Sequence, residues 1–287
     1  MRRACNIILD AYWRFLADDG WAIASHIALS GLMAMFPFFI VLTSLAGLFF
    51  GSSDLADEVA KLMLATWPEE VALPITREIH RVLTTTHTGA LTLGAVFAVY
   101  FASSGIESLR IGLNRAYSVL ETRHWILLRL ESIGYVLIAA IGSLALGFLV
   151  VLGPLLFQTA LLYAPWLEPL EGKFTFFRFA TASIVLVVAL FVAHKWLPAG
   201  HRRVIEILPG IVATLVLWLA AGIAFGRYLA EYSFTYVNTY AGLASAMIAL
   251  VFLYWTASIF VYGGELNSVI FQPQAQPKGA PPTDSAS

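Results

Sequence analysis

Ser103, Glu107, Arg110 and Asn114 follow one another at steps of four, three and four residues. On a helix that spacing puts all four on one face. Glu107 and Arg110 are close enough there to pair locally. A second polar group, Glu265 with Asn267, follows Gly263-Gly264. A third, Ser25, His26 and Ser30, stands early in the chain. Each group borders a long apolar run, so all three are expected at one depth, with Glu107, Arg110 and Glu265 close together and His26 nearby. Such groups either bind an ion or polar substrate, or join helices by hydrogen bonds. Both readings stay open. An ionisable group at a bilayer centre costs at least about 2.5–3.5 kcal/mol, but less near an interface, so charge alone does not decide. His26 reads first as a helix–helix hydrogen-bonder, with a proton relay as the alternative.

No catalytic constellation is expected. The histidines His26, His80, His87, His124, His194 and His201 form neither His-x-His nor His-Glu-x-x-His spacing. There is no Gly-x-Ser-x-Gly elbow and no phosphate loop. Cys5 is the single cysteine, so an intrachain disulfide and a Cys-based zinc cluster are excluded. No metal and no cofactor is predicted.

The elements that must position these groups are apolar. Six stretches contain no Lys, Arg, Asp or Glu: 20–53, 88–106, 132–167, 179–193, 207–226 and 232–264. A bilayer core about 30 Å thick needs roughly 20 apolar residues as helix. Most runs meet that length. Arg178 and Lys195 can snorkel at the ends of the short fourth one. The chain is 59% hydrophobic and 12% charged, against about 25% charged for a soluble domain. It reads as an all-α integral membrane protein. One six-helix domain covers residues 1–271, with spans about 21–51, 88–106, 132–157, 177–197, 207–226 and 241–264. The Pro-, Gln-, Ala- and Ser-rich segment 272–287 reads as a disordered cytoplasmic tail. The charged first twenty residues and the long first run do not fit a cleavable signal peptide.

Orientation follows from Lys and Arg. Eleven fall on one side: Arg2, Arg3, Arg14, Arg110, Arg115, Arg123, Arg129, Lys195, Arg202, Arg203 and Lys278. Six fall on the other: Lys61, Arg77, Arg81, Lys173, Arg178 and Arg227. Both termini are therefore expected in the cytoplasm. Lys195, Arg202 and Arg203, flanked by His194 and His201, fit a surface facing anionic headgroups. Ordinary positive-inside charge explains them equally. The net charge of -1 gives no reason to expect nucleic acid. Membrane lipids are the expected partners, and homo-oligomers are compatible with the sequence.

Residues 5–18 predict a short amphipathic helix at the membrane surface, with Ile8, Tyr12, Phe15 and Leu16 on one face. Pro37 is expected to bend the first span. The 52–87 loop predicts a helical hairpin on the outer face. Ala90, Gly94, Ala98 and Ala102 in the second span, and Ala139, Ser143 and Gly147 in the third, form small-residue stripes. Close helix packing is the first reading of each, an open groove the second. Tyr228, Tyr232, Tyr236 and Tyr240 would share one aromatic face if their segment is helical.

Several of these residues fall in a recognisable order. Ala24-Ser25-His26-Ile27-Ala28-Leu29-Ser30 with Phe36-Pro37 comes first. Ser103-Ser104-Gly105 through Leu113-Asn114-Arg115-Ala116-Tyr117 follows. Then come Pro209-Gly210, Trp218, Phe225, Tyr228, Tyr240-Ala241-Gly242-Leu243-Ala244-Ser245, Trp255 and Gly263-Gly264-Glu265-Leu266-Asn267. Over about residues 10–270 the chain resembles the YihY/BrkB family of bacterial inner-membrane proteins. It departs from the family pattern at His26, usually an aromatic, and at Gly263-Gly264-Glu265, commonly Gly-Ala-Glu. The resemblance implies six transmembrane helices and a bacterial plasma-membrane location. It implies no single activity: relatives carry labels as ribonuclease BN, virulence or serum-resistance factors, and transporters of lipid or solute. A nuclease needs a metal or acid–base cluster and a basic groove, which this sequence does not display.

The sequence therefore points to a transport-type membrane protein handling an amphipathic lipid, envelope precursor or solute. The alternative is a non-catalytic envelope scaffold. An enzyme comes third.

Overall fold

The computed structural model describes residues 2–50, 88–240 and 244–271. The 52–87 hairpin and the 272–287 tail predicted above lie outside them. The described chain is helical. Helix α1 is Arg2–Ala17, α2 Gly20–Phe50, α3 Thr88–Ala116 and α4 Trp125–Gly147. A π turn, Phe148–Leu152, joins α4 to α5, Gly153–Tyr163. A 3-10 segment, Pro165–Leu170, leads into α6, Glu171–Trp196. Helices α7, Val204–Tyr240, and α8, Ala244–Phe271, complete the chain. Among the described residues, six helical stretches are long and apolar enough to cross a membrane: Gly20–Val41, Thr92–Ala116, Trp125–Val150, Pro165–Trp196, Val204–Leu229 and Ala246–Phe271.

Two units are distinguished. One is Met1–Leu29 with Ser103–Ser287, and the other is Ser30–Ala102. In the second, Pro37 lies inside α2. A Cβ at Gly94 would stand 3.2 Å from the Ile40 side chain and 3.4 Å from the Pro37 carbonyl. The small stripe of the second span thus packs closely at that position. Ser30 is buried in this unit.

The first unit carries the polar residues. Its surface is rich in exposed apolar side chains, among them Leu137, Ile138 and Ile141 on α4 and Ile184 and Val188 on α6. Its largest fully buried side chains include Arg110, His194, Glu265 and Asn267. Lipid reverses the usual economy of burial: apolar groups lose nothing by facing acyl chains, while polar groups turn inward to find partners.

Helix α1 docks on α8. Ala11 and Phe15 are buried. The Tyr262 hydroxyl donates to the Ile8 carbonyl at 3.1 Å, and Arg14 Nη1 donates to Ser268 Oγ at 3.0 Å. The predicted apolar face is split. Phe15 turns to the bundle, while Ile8, Leu9, Tyr12 and Trp13 stay exposed. The small Ala11, invisible to an apolar-periodicity reading, marks the docked face.

Glycines set two crossings. A Cβ at Gly210 on α7 would strike the Gly263 carbonyl and the Asn267 amide on α8, and one at Gly263 would strike Thr214 Oγ1. Gly112 on α3 sits with its Cβ position 3.0 Å from Ile23 and 3.3 Å from Val261. The third-span stripe does not pack this way. Ala139 and Ser143 are exposed and Gly147 faces open space. Pro154, one residue into α5, lacks an N–H and crowds the carbonyl four residues back. The π turn just before it absorbs that conflict, with Gly153 N–H bonding to the Phe148 carbonyl.

Helix α3 ends in a Schellman turn. Val119 N–H bonds to the Asn114 carbonyl and Ser118 N–H to the Arg115 carbonyl, with Ser118 at φ 52. This turn throws the chain back toward α4 and sets up the 117–124 loop.

Candidate functional site

Two loops meet at one end of the first unit: 117–124, between α3 and α4, and 197–203, between α6 and α7. Asn114, in the last turn of α3, joins them. Its Oδ1 accepts the Ala199 N–H at 2.7 Å and its Nδ2 donates to Glu121 Oε2 at 3.1 Å. Arg123 grips Glu121 as a fork, Nε to Oε1 at 2.8 Å and Nη2 to Oε2 at 2.8 Å. That grip holds the Glu121 carboxyl down at about 2 and strengthens the charged form of Arg123. Arg123 Nη2 also reaches the Leu197 carbonyl at 3.1 Å. Glu131 on α4 completes the chain. Its Oε2 accepts from Arg123 Nη1 at 3.0 Å and from Arg110 Nη2 at 3.4 Å. The Tyr135 hydroxyl donates to Glu131 Oε1 at 3.4 Å.

These residues edge an open groove of about 430 Å³. Arg123, Glu131 and Tyr135 form one side, and the segment from Lys195 to Arg202 forms the other. Lys195 Nζ lies 5.6 Å from the Trp196 ring centre. Three cations, Arg123, Lys195 and Arg202, face one carboxylate, Glu131. Such a lining is chemically suited to an anion, beside aromatic side chains suited to an interface.

Arg202 links the groove to a second, buried centre. Its guanidinium stacks 3.8 Å from the Tyr117 ring centre, and Nη2 donates to the Ala199 carbonyl at 3.1 Å. Burial disfavours its charged form, opposed by Tyr117 and Glu206. Beneath it, Asn267 accepts the Gly210 N–H at 2.6 Å and donates Nδ2 to the Tyr117 oxygen at 3.0 Å. Burial keeps the Tyr117 hydroxyl protonated, pushing it up to about 12. Its hydrogen is then left for His194 Nδ1, 3.2 Å away. His194 is fully buried, with its ring 4.8 Å from Phe260. This relay pins α6, α7, α8 and the end of α3 together.

The polar residues expected from sequence are thus distributed over several partners. Glu107 does not pair with Arg110. It accepts Arg129 Nη1 at 2.8 Å, while Arg110 turns to Glu131. Helix α4 supplies both rival partners. Arg129 also donates to Ser104 Oγ at 3.4 Å. His26 Nδ1 meets Ser108 Oγ at 2.5 Å, a helix–helix bond as expected. Ser25 bonds within its own helix to the Trp21 carbonyl. Ser103 is fully buried.

Glu265 is fully buried, and its Oε2 has no hydrogen-bond partner among the described residues. Neither Glu107 nor Glu265 lines this cationic groove or the apolar groove described below. The headgroup trio also divides. Lys195 and Arg202 line the groove, whereas Arg203 is exposed outside its lining and gives its backbone N–H to Glu206 at the start of α7. His194, placed by sequence with the surface cations, is in the core. Sequence reasoning missed Tyr117, Glu121 and Glu131 as site residues. Glu131 carried a signal in hindsight: it is an acid in the apolar first turns of α4, a place that demands a partner.

A second groove, about 580 Å³, runs between α7 and α8 and is lined by Trp218, Phe225, Tyr228, Phe252 and Trp255 among others. Helix α7 continues to Tyr240, so the four-residue tyrosine repeat is helical. Only Tyr228 has a described side chain. Among the described residues, no three His, Cys, Asp or Glu side chains gather as a metal-holding group.

The family described as Virulence factor BrkB matches residues 11–286. The chain belongs to the BrkB family. It is 23% identical over 277 residues to the "Putative ribonuclease-like protein YfkH" of Bacillus subtilis, a match covering 96% of this chain and 99% of that protein. A UPF0761 membrane protein of Coxiella burnetii (strain RSA 493 / Nine Mile phase I) is 28% identical over 178 residues, covering 61% of this chain and 63% of the relative. A UPF0761 membrane protein of Legionella pneumophila is 24% identical over 275 residues, covering 95% of this chain and 63% of the relative. No solved structure matches. The BrkB membrane protein expected from the residue pattern is therefore what the chain is. The UPF0761 relatives are named as membrane proteins, the Bacillus subtilis relative as ribonuclease-like, and the names supply no common activity.

Proposed function

We propose that this BrkB protein is a non-enzymatic, transport-type protein of the bacterial inner membrane that takes up an anionic amphipathic molecule at its cytoplasmic end. One observation carries the reading: the groove in which Arg123, Lys195 and Arg202 face a single carboxylate beside Tyr135 and Trp196. Headgroup-level cations with interfacial aromatics suit a lipid or envelope precursor whose tail stays in the bilayer. The eleven-to-six Lys/Arg asymmetry supports cytoplasmic termini, which would put this groove at the inner leaflet. No nucleotide-binding loop is present in the sequence, so the driving force on this reading is an ion gradient or the substrate's own gradient.

Reconstitution into liposomes tests it. Fluorescent anionic lipid in the outer leaflet should become inaccessible to a membrane-impermeant quencher faster with the protein than without it. Lys195→Gln and Arg202→Gln should slow that movement. Identical traces for protein-containing and protein-free liposomes, across anionic and zwitterionic lipids, would sink the transport reading. The scaffold alternative draws on the apolar groove between α7 and α8 and predicts such a silent result, together with a stable membrane partner.

A further inference from the structure

The groove at the α3–α4 and α6–α7 loops is lined by Arg123, Lys195 and Arg202, and Arg110, outside that lining, joins it through Glu131. Arg110 is 2% exposed, and its Nε and Nη1 have no hydrogen-bond partner among the described residues. Arg202 Nη1 is likewise buried without one. Arg123 is held from behind by Glu121 and the Leu197 carbonyl, leaving Nη1 directed at Glu131. Among the described residues Glu131 is the only carboxylate lining the groove, and one oxygen serves both Arg123 and Arg110. At 3.4 Å the Arg110 contact is long for a charge-assisted bond.

An arginine donor left buried without an acceptor pays its desolvation cost unrelieved. A ligand able to offer several oxygens from one centre would relieve that cost. A carboxylate offers two oxygens and one charge. A phosphodiester offers two free oxygens and one charge. A terminal phosphomonoester offers three strong acceptor oxygens and about -1.5 to -2 charges at neutral pH. With three lining cations against one lining carboxylate, the dianion matches the charge of the groove and the monoanion leaves it uncompensated.

Resting on the reading that this groove receives an anionic amphipath, we propose that it selects a terminal phosphomonoester or diphosphate headgroup, which displaces Glu131 from Arg123 and Arg110. Glu131 acts as the resident acceptor that keeps the two guanidinium groups apart until a better one arrives. The bound phosphate takes the place of Glu131 Oε2 as acceptor for Arg123 Nη1 and Arg110 Nη2 and presents its other oxygens to Arg202 and Lys195. Selection therefore depends on charge number as well as sign.

The test is binding, measured separately from movement. Full-length protein in detergent is titrated with phosphatidic acid, with phosphatidylglycerol of the same chains, and with glycerol 3-phosphate, and complexes are read by native mass spectrometry. Phosphatidic acid should bind about tenfold more tightly than phosphatidylglycerol, a difference of about 1.4 kcal/mol. Lys195→Gln and Arg202→Gln should each erase most of that preference. Glu131→Gln, which removes the competing carboxylate and keeps the shape, should strengthen phosphatidic acid binding severalfold. Competition by glycerol 3-phosphate at equal concentration would support the phosphomonoester chemistry and assign its source to a soluble ester; failure to compete assigns it to a lipid. Equal binding of the two lipids would overturn the proposal. So would a Glu131→Gln protein with an unchanged melting temperature that binds phosphatidic acid no better than wild type. If Glu131→Gln misfolds, Glu131→Asp, which shortens the reach to Arg110, must still raise the preference. Lipid movement without headgroup selection would reject this inference and leave the transport reading standing, and selection without movement would do the reverse.

Discussion

Asn267 and Tyr117 stand 150 residues apart in the sequence and meet at 3.0 Å, amide to hydroxyl. The same Asn267 takes the Gly210 N–H at 2.6 Å. One side chain thus satisfies a backbone donor next to Pro209 and orients the tyrosine that contacts His194. Asn267→Leu removes both bonds and leaves the Gly210 N–H buried without an acceptor. It should destabilise the protein by about 2–4 kcal/mol, the sum of a lost bond and a stranded donor. Thermal unfolding of the detergent-solubilised protein checks this. Tyr117→Phe should cost less, since the ring still packs under Arg202. A variant of either residue melting with wild type would remove the pin from the account.

The α7–α8 crossing depends on the absence of two side chains. Gly263→Ala pushes a methyl into Thr214 Oγ1 and the α7 backbone. Separating packed helices or forcing rotamers costs about 1–3 kcal/mol. Gly226→Ala on α7 is the control, because its Cβ position faces open space. There the exchange should be neutral or stabilising by up to about 1 kcal/mol, from helix propensity. Comparing the two melting temperatures isolates close approach from backbone flexibility.

The helices were legible in the sequence because charge is scarce and its absence is sharp over twenty residues. The partners of the polar groups were not. Local spacing favoured Glu107 with Arg110, but α4 folds back and brings Arg129 and Glu131 to the same surface. As sequence, Arg123 and Arg129 read only as positive-inside charge, and the sign of a loop says nothing about which carboxylate it meets. His194 was misplaced because its neighbour Lys195 faces the groove while the helix turns His194 the other way, into the core. A turn of about 100° per residue separates adjacent side chains that a composition reading lumps together.

Ser118 holds φ 52 at the residue that ends the Schellman turn after α3. A residue with a Cβ is disfavoured there by about 1–2 kcal/mol, and glycine is not. Ser118 is exposed, so no packing opposes the change. Ser118→Gly should stabilise the folded state by about 0.5–1 kcal/mol after the extra freedom of glycine in the unfolded chain is subtracted. Chemical denaturation in mild detergent reads it, and a lower midpoint would contradict the strain.

Glu121 gives a pH signature. Its carboxyl is held at about 2 by the Arg123 fork, below the ordinary value of 4.5. A depressed carboxyl adds stability that is complete above the ordinary value and is lost as pH falls through the folded one. The contribution should therefore fade between pH 4.5 and pH 2. At pH 7 it should be about 1 kcal/mol, the size left to a part-exposed ion pair. The melting-temperature gap between wild type and Glu121→Gln should be widest at neutral pH and close in that window. A gap independent of pH would mean that shape, not charge, makes the contact.

Glu107 and Arg129 offer the cleanest test of which charges are partners. They meet at 2.8 Å with side chains 42% and 25% exposed, whereas Arg110 is directed to Glu131. A double-mutant cycle of Glu107→Gln with Arg129→Gln should return a coupling of about 0.5–1 kcal/mol, the upper range for a part-exposed pair. The cycle of Glu107→Gln with Arg110→Gln should return about zero within the additivity error. Exchanging the charges, Glu107→Arg with Arg129→Glu, should recover stability that either single reversal loses. If the large coupling falls on Arg110 instead, the local helix pair has won. In that case α4 does not supply the counter-charge, and the arrangement of the groove built on Glu131 falls with it.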